Sequence, residues 1–118
     1  KTLFPYTTLF RSERGVAAER IVVDPGFGFG KTDAHNIELH RRLRQLQQLG
    51  YPLLVGWSRK STLGRLTGRP VGQRLGASVA AALSAAHHGA RVLRVHDVAA
   101  TVDALRVWHT LEQRWDPS

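Results

Sequence analysis

From residue 13 onward, short apolar runs rich in β-branched residues alternate with longer segments of helical periodicity. This alternation is typical of βα units, in which helices connect neighbouring strands of a parallel sheet. We predict three strands, at Arg20 to Val23, Pro52 to Gly56 and Arg91 to Val95. The chain is therefore predicted to be an α/β protein whose strands all run in the same direction.

A helical segment follows each predicted strand. We predict helices from an N-cap at Thr32 or Asp33 to about Leu49, from just after Gln73 to about His88, and from about Ala99 to Gln113. Glycines stand where the first two helices should end, as is common after a helix. A basic loop is predicted to join the second strand to the second helix. Apolar residues recur on one face of the third helix, at Val102, Leu105, Trp108 and Leu111.

The chain carries 17 lysine and arginine residues against 9 aspartate and glutamate residues, a formal net charge of +8. Such a balance makes nucleic acid a candidate partner. The basic residues are, however, scattered along helical segments and beside glycines, without the interleaved aromatic residues of a base-stacking surface. An anionic small molecule held by local arginine and lysine side chains explains the charge with fewer assumptions. We therefore expect no nucleic acid partner.

Composition excludes several further classes. The chain has no cysteine, which excludes disulfides, thiolate metal sites and cysteine nucleophiles and favours a cytoplasmic location. No apolar run approaches the roughly 20 residues that a membrane-spanning helix needs, so we expect no membrane association. A length of 118 residues with 42% hydrophobic residues predicts one globular unit.

The segment that follows the first strand, Asp24 to Lys31, reads DPGFGFGK. It ends like a P-loop, but the P-loop pattern requires glycine where Pro25 stands, and the glycine spacing does not match the dinucleotide-binding fingerprint. Three alternating glycines, with Gly28 in the middle, would let the backbone approach a flat ligand between aromatic walls formed by Phe27 and Phe29. The alternative is a turn whose phenylalanines fill the core.

Polar residues stand at the end of each predicted strand. Asp24 follows the first strand, so we predict that it is largely removed from water and needs a donor, either a heterocycle or a loop amide. Ser58 to Ser61 (SRKS) combines two cations with two hydroxyls, which suits a carboxylate or a heterocyclic carbonyl. Arg94 and His96 lie two residues apart, on one side of the third strand end, and together could hold a diphosphate. Ligands bind at such strand ends in α/β folds.

The order and spacing of DPGFGFGK, LLVGWSRKS and RVHDV resemble the C-terminal part of the dihydropteroate synthases, from about Gly15 to Gln113. The resemblance implies the C-terminal three βα units of a (β/α)8 TIM barrel, a pterin-binding domain that is incomplete because such barrels have about 250 residues. The family condenses 6-hydroxymethyl-7,8-dihydropterin diphosphate with 4-aminobenzoate, giving dihydropteroate and diphosphate in folate biosynthesis.

The resemblance also implies roles for individual residues at the pterin. Asp24 would hydrogen-bond the pterin ring, and Gly56 and Lys60 would contact it further. Arg94 would lie over the pterin face and join His96 at the diphosphate. Lys60, Arg94 and His96 would form the catalytic set, acting on the departing diphosphate through their charge.

The remaining implied substrate contacts concern the aminobenzoate. Phe29 and Ser61 would hold it, with Ser61 at its carboxylate, and Gly28 belongs to the same substrate-binding loop. Mg²⁺ would assist the complete enzyme, with its ligand in the N-terminal half, so we expect no metal ligand in this chain. The complete enzyme is expected to be a homodimer.

Thr2 to Ser12 (TLFPYTTLFRS) resembles the translation of a DNA-sequencing adapter and matches no part of this family. We interpret residues 1–12 as non-native and residues 13–118 as a partial pterin-binding barrel domain; the alternative is an edge strand of aromatic character. The chain alone is expected to be inactive and poorly stable, because an opened sheet exposes an edge and an apolar face.

Two other functions stay open. One is a fragment of a pterin-binding methyltransferase-type barrel, which gives no reason for SRKS at an aminobenzoate carboxylate. The other is a basic nucleic-acid-binding module, which the scattered charges do not favour.

Overall fold

Parallel strand pairing organises the fold. The computed structural model describes residues 23–27 and 31–112. Strand β1 (Leu54–Val55) pairs in parallel with β2 (Val92–Leu93). On the other side of β1, Val23 forms a parallel bridge with Leu53, and its N–H donates to the carbonyl of Pro52 at 2.9 Å. The predicted parallel order is thus confirmed, although the strands are shorter than predicted and residues 20–22 of the first lie outside the described residues.

Helices follow the strand segments in the predicted alternation. They are α1 (Asp33–Arg41), α2 (Leu43–Gln47), α3 (Ser61–Thr67), α4 (Leu75–His87) and α5 (Val98–Glu112), with a 3-10 turn at Val71–Gln73. The predicted alanine-rich helix and the predicted last helix are confirmed as α4 and α5, to within one or two residues at the ends that the structure describes.

The first predicted helix begins as expected but is not continuous. Thr32 is its N-cap, and the Oγ1 atom of Thr32 accepts from the N–H of His35 at 3.1 Å. A single helix to Leu49 is wrong, because α1 ends where Arg42 adopts φ −99° and ψ 10°. The N–H of Arg42 is shared there between two carbonyls of the preceding turn, which is the tightening common at helix ends. Gly50, at φ 88°, follows α2 as predicted.

The predicted basic loop after the second strand is also wrong in its first half, which forms α3. This helix buries Thr62 and Leu63 and ends at Gly68, which has φ 72°. It is bound to α1 through Asp33, whose carboxylate accepts from Thr62 Oγ1 at 2.7 Å and pairs with the guanidinium of Arg65. Hydrogen bonds from Arg65 and then Thr62 lower the pKa of Asp33 to about 2. Helix α3 is thereby fixed against α1 at the end of β1.

The core lies where these helices cover one face of the sheet. Its buried residues are Val23, Phe27, Leu43, Leu53, Val55, Trp57, Leu63 and Ala85. Leucine and alanine side chains of α1, α2 and α4 pack against this cluster from outside. Burial of such side chains provides most of the driving force for a small fold.

The apolar residues of helix α5 are unevenly covered. Of the four that recur on one face, Leu105 and Trp108 are half-buried, whereas Val102 is 36% and Leu111 76% exposed; Thr101 is buried. Val92 of strand β2 is 41% exposed as well. The outer side of β2 and the adjoining face of α5 therefore form the exposed apolar surface that was expected of an opened sheet. None of the helices between residues 33 and 112 has the length and apolar character to cross a bilayer.

Candidate ligand site at the carboxyl ends of the strands

The parallel register brings the three predicted ligand-binding segments to one edge of the sheet. Asp24 follows the bridge at Val23, Gly56 follows β1, and Arg94 follows β2. The carboxyl ends of parallel strands point the same way, so these segments become neighbours although 70 positions separate the first from the last. The predicted proximity of the three segments is confirmed for the described residues; that they bind a ligand stays a prediction.

Asp24 joins two of these segments. Its Oδ1 atom accepts from the N–H of Gly26 at 2.8 Å, and its Oδ2 atom accepts from Nη1 of Arg94 at 3.2 Å. The prediction that Asp24 is largely removed from water is wrong: its side chain is 35% exposed. The strand ends at this residue, so the carboxylate projects beyond the sheet rather than into the core. The predicted loop-amide donor is the N–H of Gly26, whereas the guanidinium of Arg94 was not predicted as a donor. Oxygen lone pairs of the carboxylate remain for a ligand.

Arg94 crosses the end of the neighbouring strand to reach Asp24. A Cβ atom placed on Gly56 would lie 2.6 Å from Nη2 of Arg94, closer than any van der Waals contact allows. Glycine at position 56 therefore leaves the space that the guanidinium occupies. The guanidinium thus lies beside Gly56, just past the end of β1, with half of the Arg94 side chain still exposed.

Lys60 reaches toward the glycine-rich segment. Its Nζ atom donates to the carbonyl of Phe27 at 2.7 Å. Burial, and then the positive charge of Arg94, lower the pKa of Lys60 from its ordinary value, while Asp24 opposes the shift. Lys60, Arg94 and Asp24 therefore form one electrostatic group with two cations and one carboxylate.

Ser58 holds His96 by two contacts. The buried Oγ atom of Ser58 accepts from the main-chain N–H of His96 at 3.2 Å and lies 2.8 Å from its Nδ1 atom. Nδ1 is therefore the ring nitrogen that contacts Ser58, whether the hydroxyl donates to it or accepts from it. His96 thus presents its other nitrogen to solvent. Ser58 was predicted only as one hydroxyl of the SRKS segment, and its contact with His96 was not predicted.

The turn that carries Lys60 is strained and supported from several sides. Arg59 has φ 58°, in the left-handed region that costs non-glycine residues energy. Its N–H donates to Ser78 Oγ at 2.9 Å, and its carbonyl accepts from Nη1 of Arg74 at 2.9 Å. Its guanidinium pairs with Asp97 at 3.3 Å. Sequence reasoning missed these supports because they come from residues 15 to 38 positions away.

Ser61 stands at the start of α3, with its side chain exposed. Its Oγ atom accepts from Nη2 of Arg65 at 3.2 Å. A hydroxyl beside a guanidinium is a suitable environment for a carboxylate. Ser61 nevertheless belongs to the outer rim of the cluster rather than to the Asp24 and Arg94 group.

Two predicted ligand residues, Gly28 and Phe29, lie outside the described residues. The prediction that the ring of Phe27 forms an aromatic wall for a ligand is wrong; the alternative, that the ring fills the core, holds for Phe27. It is 1% exposed and belongs to the core, with its ring 4.7 Å from that of Trp57. Its carbonyl, rather than its ring, takes part in the site by accepting from Lys60.

A family model described as "Pterin binding enzyme" matches residues 8–96 of this chain. The chain belongs to this pterin binding enzyme family. It is 54% identical over 101 residues to the dihydropteroate synthase of Neisseria meningitidis serogroup B, across 82% of this chain and 35% of that protein. The chain thus spans about a third of the length of the curated relatives it matches.

Solved structures of the family show the same fold. Dihydropteroate synthase from Xanthomonas albilineans in complex with 7,8-dihydropteroate matches with a TM-score of 0.93 and 47% identity, over 96% of this chain and 45% of that one. The same enzyme with 4-aminobenzoic acid matches with a TM-score of 0.85 and 47% identity, over 96% and 44%. The predicted fold class, a part of a (β/α)8 barrel, is confirmed. The family match begins at residue 8; that residues 1–12 are non-native stays a prediction.

Proposed function

We propose that this chain supplies the C-terminal half of a dihydropteroate synthase site. There, 6-hydroxymethyl-7,8-dihydropterin diphosphate would condense with 4-aminobenzoate to give dihydropteroate and diphosphate. The observation that carries this proposal is the meeting of Asp24, Lys60 and Arg94 at one edge of the sheet. The family membership of the chain and the 7,8-dihydropteroate and 4-aminobenzoic acid bound by its relative support it.

A pterin suits this edge because it is flat and presents adjacent N–H donors. Asp24 would accept from those donors, since its carboxylate is held in place by the N–H of Gly26 yet stays accessible. Arg94 would stack its planar guanidinium on the ring, in the space that Gly56 leaves open. Lys60, anchored on the carbonyl of Phe27, would contact the ring from the glycine-rich side.

In the reaction, the bond between the pterin methylene carbon and the diphosphate oxygen breaks, and the amine nitrogen of aminobenzoate bonds to that carbon. The amine gives up one proton, and the electron pair of the broken bond leaves with the diphosphate. Arg94 and His96 would hold the departing diphosphate, Arg94 by its charge and His96 through its outward-facing Nε2 atom. The contribution of this chain to rate is thus electrostatic stabilisation and positioning.

The aminobenzoate would lie on the Ser61 side of the cluster. The Ser61 hydroxyl would meet its carboxylate, and the guanidinium of Arg65 stands 3.2 Å from that hydroxyl. Phe29 is proposed as the aromatic contact of the benzoate ring, on the basis of the family resemblance.

Mg²⁺ is implied by the resemblance rather than by this chain. Among residues 23–27 and 31–112, no three histidine or carboxylate side chains come together in a way that could hold a metal ion. The described residues therefore do not fit a metal centre.

The arginines of the described segments argue against the nucleic-acid alternative. Four of them pair with carboxylates, as Arg42 does with Glu38 and Arg59 does with Asp97. Others donate to main-chain carbonyls, as Arg74 does to Arg59. Much of the positive charge is thus committed within the fold rather than displayed as one surface.

For the complete enzyme we propose a cytoplasmic homodimer, and for this chain alone no turnover, because it spans about a third of its curated relatives. Incubation of the purified chain with both substrates and Mg²⁺ tests the last point. Formation of dihydropteroate above the level of a protein-free control would contradict it.

Calorimetry on the full chain tests the proposed site. We expect 6-hydroxymethyl-7,8-dihydropterin diphosphate to bind, and Arg94→Gln to weaken binding by roughly ten- to a hundredfold, as expected for a lost charge-assisted contact. Arg91→Gln is the matched control, because Arg91 lies at the opposite end of the same strand. Absence of binding by the unsubstituted chain, or equal losses in the two variants, would refute the proposed site. Tighter binding of single-stranded DNA than of the pterin would favour the nucleic-acid alternative instead.

A further inference from the structure

His40, a residue of α1 outside the ligand cluster, makes hydrogen bonds on both sides of its ring. Nε1 of Trp57 lies 2.9 Å from Nδ1 of His40, and Nε2 of His40 lies 2.8 Å from Oγ of Ser84. These contacts connect α1 with the end of β1 and with α4. A histidine with two short ring contacts is held in one orientation.

The contacts also determine where the imidazole proton lies. An indole N–H is a donor only, so Nδ1 of His40 must accept from Trp57. The proton of the neutral ring is therefore on Nε2, where it donates to Ser84. A protonated His40 would present an N–H to the N–H of Trp57, and the hydrogen bond between them would be lost.

Three rings meet at this point. The centroids of Phe27 and Trp57 are 4.7 Å apart, those of His40 and Trp57 are 5.8 Å apart, and those of Phe27 and His40 are 6.0 Å apart. Phe27 belongs to the glycine-rich segment, and Trp57 begins the turn that holds Ser58 and Lys60. His40 therefore packs against one residue of each ligand-binding segment, Phe27 in the first and Trp57 in the second.

Trp57 links His40 to the turn that carries Lys60. It is 6% exposed, and it stands directly between Gly56 and Ser58. Its carbonyl accepts from the N–H of Lys60 at 3.1 Å, which closes the turn. A rotation of the indole would move the turn that positions Lys60.

We propose that His40, as the neutral tautomer protonated on Nε2, is a positioning residue that fixes Trp57 and with it the turn from Trp57 to Lys60. That this turn serves a pterin rests on the proposed function; that His40 orients the turn does not. The hydrogen bonds of the His40 ring go to Trp57 and Ser84 rather than to the Asp24 and Arg94 group, so it acts through Trp57.

The surroundings of His40 keep it neutral. Burial, with a smaller effect from His88, lowers the pKa of His40 to about 4. His88, which directly follows α4, is the titratable neighbour among the described residues, with its ring 5.1 Å away. The two loop segments present Phe27 and Trp57, which carry no charge. Near neutral pH the acceptor at Nδ1 is thus maintained.

The test uses ¹H–¹⁵N spectra of the full chain, with no ligand. His40→Leu removes the acceptor, whereas His40→Asn keeps an oxygen close to the position of Nδ1. We expect hydrogen exchange at the Trp57 indole and at the Lys60 amide to become about tenfold faster in His40→Leu, and His40→Asn to restore most of the protection. Arg41→Leu, an exposed neighbour on the same helix, is the control and should leave both signals unchanged.

A pH titration of the unsubstituted chain covers the case in which His40→Leu does not fold. We expect the Trp57 indole proton to shift as His40 gains its proton, well below pH 6.5, and the Trp108 indole to stay in place over that step. An unmoved Trp57 signal while His40 titrates would overturn the proposal, and so would equal exchange rates in the Leu and Asn variants. In the pterin calorimetry, we expect His40→Leu to bind more weakly than His40→Asn. Equal binding would mean that His40 affects the fold alone and would overturn its proposed effect on ligand binding.

Discussion

The guanidinium of Arg94 occupies the space in which a side chain at position 56 would stand. A Cβ atom on Gly56 would lie 2.6 Å from Nη2 of Arg94, and the same guanidinium pairs with Asp24 at 3.2 Å. The first and third strand ends are thus connected across the second, through a gap that glycine provides. The ligand cluster depends on this arrangement more than the core does.

Gly56→Ala is accordingly expected to damage the site and spare the fold. The atom that a new methyl group meets is the far end of a flexible side chain, so Arg94 moves away and loses Asp24. We expect pterin binding to weaken by roughly tenfold or more and the free energy of unfolding to change by less than about 1 kcal/mol. Calorimetry and urea unfolding measure the two quantities.

Gly76→Ala is the matched control for this substitution. Gly76 lies in α4 with nothing within 4 Å of its missing Cβ, so alanine should leave pterin binding unchanged and favour the helix slightly. An equal loss of affinity in both variants would contradict the proposed role of the space that Gly56 leaves for Arg94.

Thr62 is expected to be a point of high sensitivity in the fold. It is 1% exposed, accepts from Nδ2 of Asn36 at 3.0 Å and donates to Asp33 at 2.7 Å. Thr62→Val keeps the shape but removes both hydrogen bonds, which should lower the free energy of unfolding by about 1 to 3 kcal/mol. Thr62→Ser keeps the hydroxyl and should therefore retain most of the free energy of unfolding that Thr62→Val loses. A Thr62→Val variant as stable as the control Thr110→Val, at an exposed position of α5, would contradict this prediction.

The strand order and the ligand-binding edge were predictable because they follow from local pattern. Runs such as Pro52 to Gly56 combine β-branched and apolar residues between turn residues, and parallel pairing then places the loops together. Helix α3 was missed because it has seven residues and contains Gly64. The interruption at Arg42 was missed because no proline or glycine marks it.

Individual side chains of the site were less predictable. Asp24 was expected to be buried because it follows an apolar strand, but exposure at a strand end depends on what closes over it. His40 was not predicted to have a role, since its partners Trp57 and Ser84 lie 17 and 44 positions away. Contacts at such distances arise from tertiary packing and leave no local pattern.

The half-buried His40 also predicts a pH dependence of stability. Its pKa is lowered from 6.5 to about 4 in the folded chain, so the unfolded chain binds the proton more readily between these values. The corresponding stabilisation is fully present above about pH 6.5 and is lost as the pH falls through about 4. The partly exposed ring limits this component to about 1 to 2 kcal/mol. Urea unfolding from pH 7 to 4 should show a smaller loss in the free energy of unfolding for His40→Leu than for the unsubstituted chain. Equal losses in the two chains would contradict the prediction.

The uncovered face of α5 is expected to drive self-association of the isolated chain. Leu111 is 76% exposed and Val107 is 60% exposed, and apolar surface of this kind associates when it finds a partner. Leu111→Lys removes one contact worth about 1.5 to 3 kcal/mol when fully buried, so the concentration at which the chain associates should rise by about tenfold. Sedimentation velocity over a concentration series measures this. Thr110→Lys adds the same charge at the neighbouring exposed position, and an equal shift in both variants would attribute the effect to net charge rather than to the apolar face.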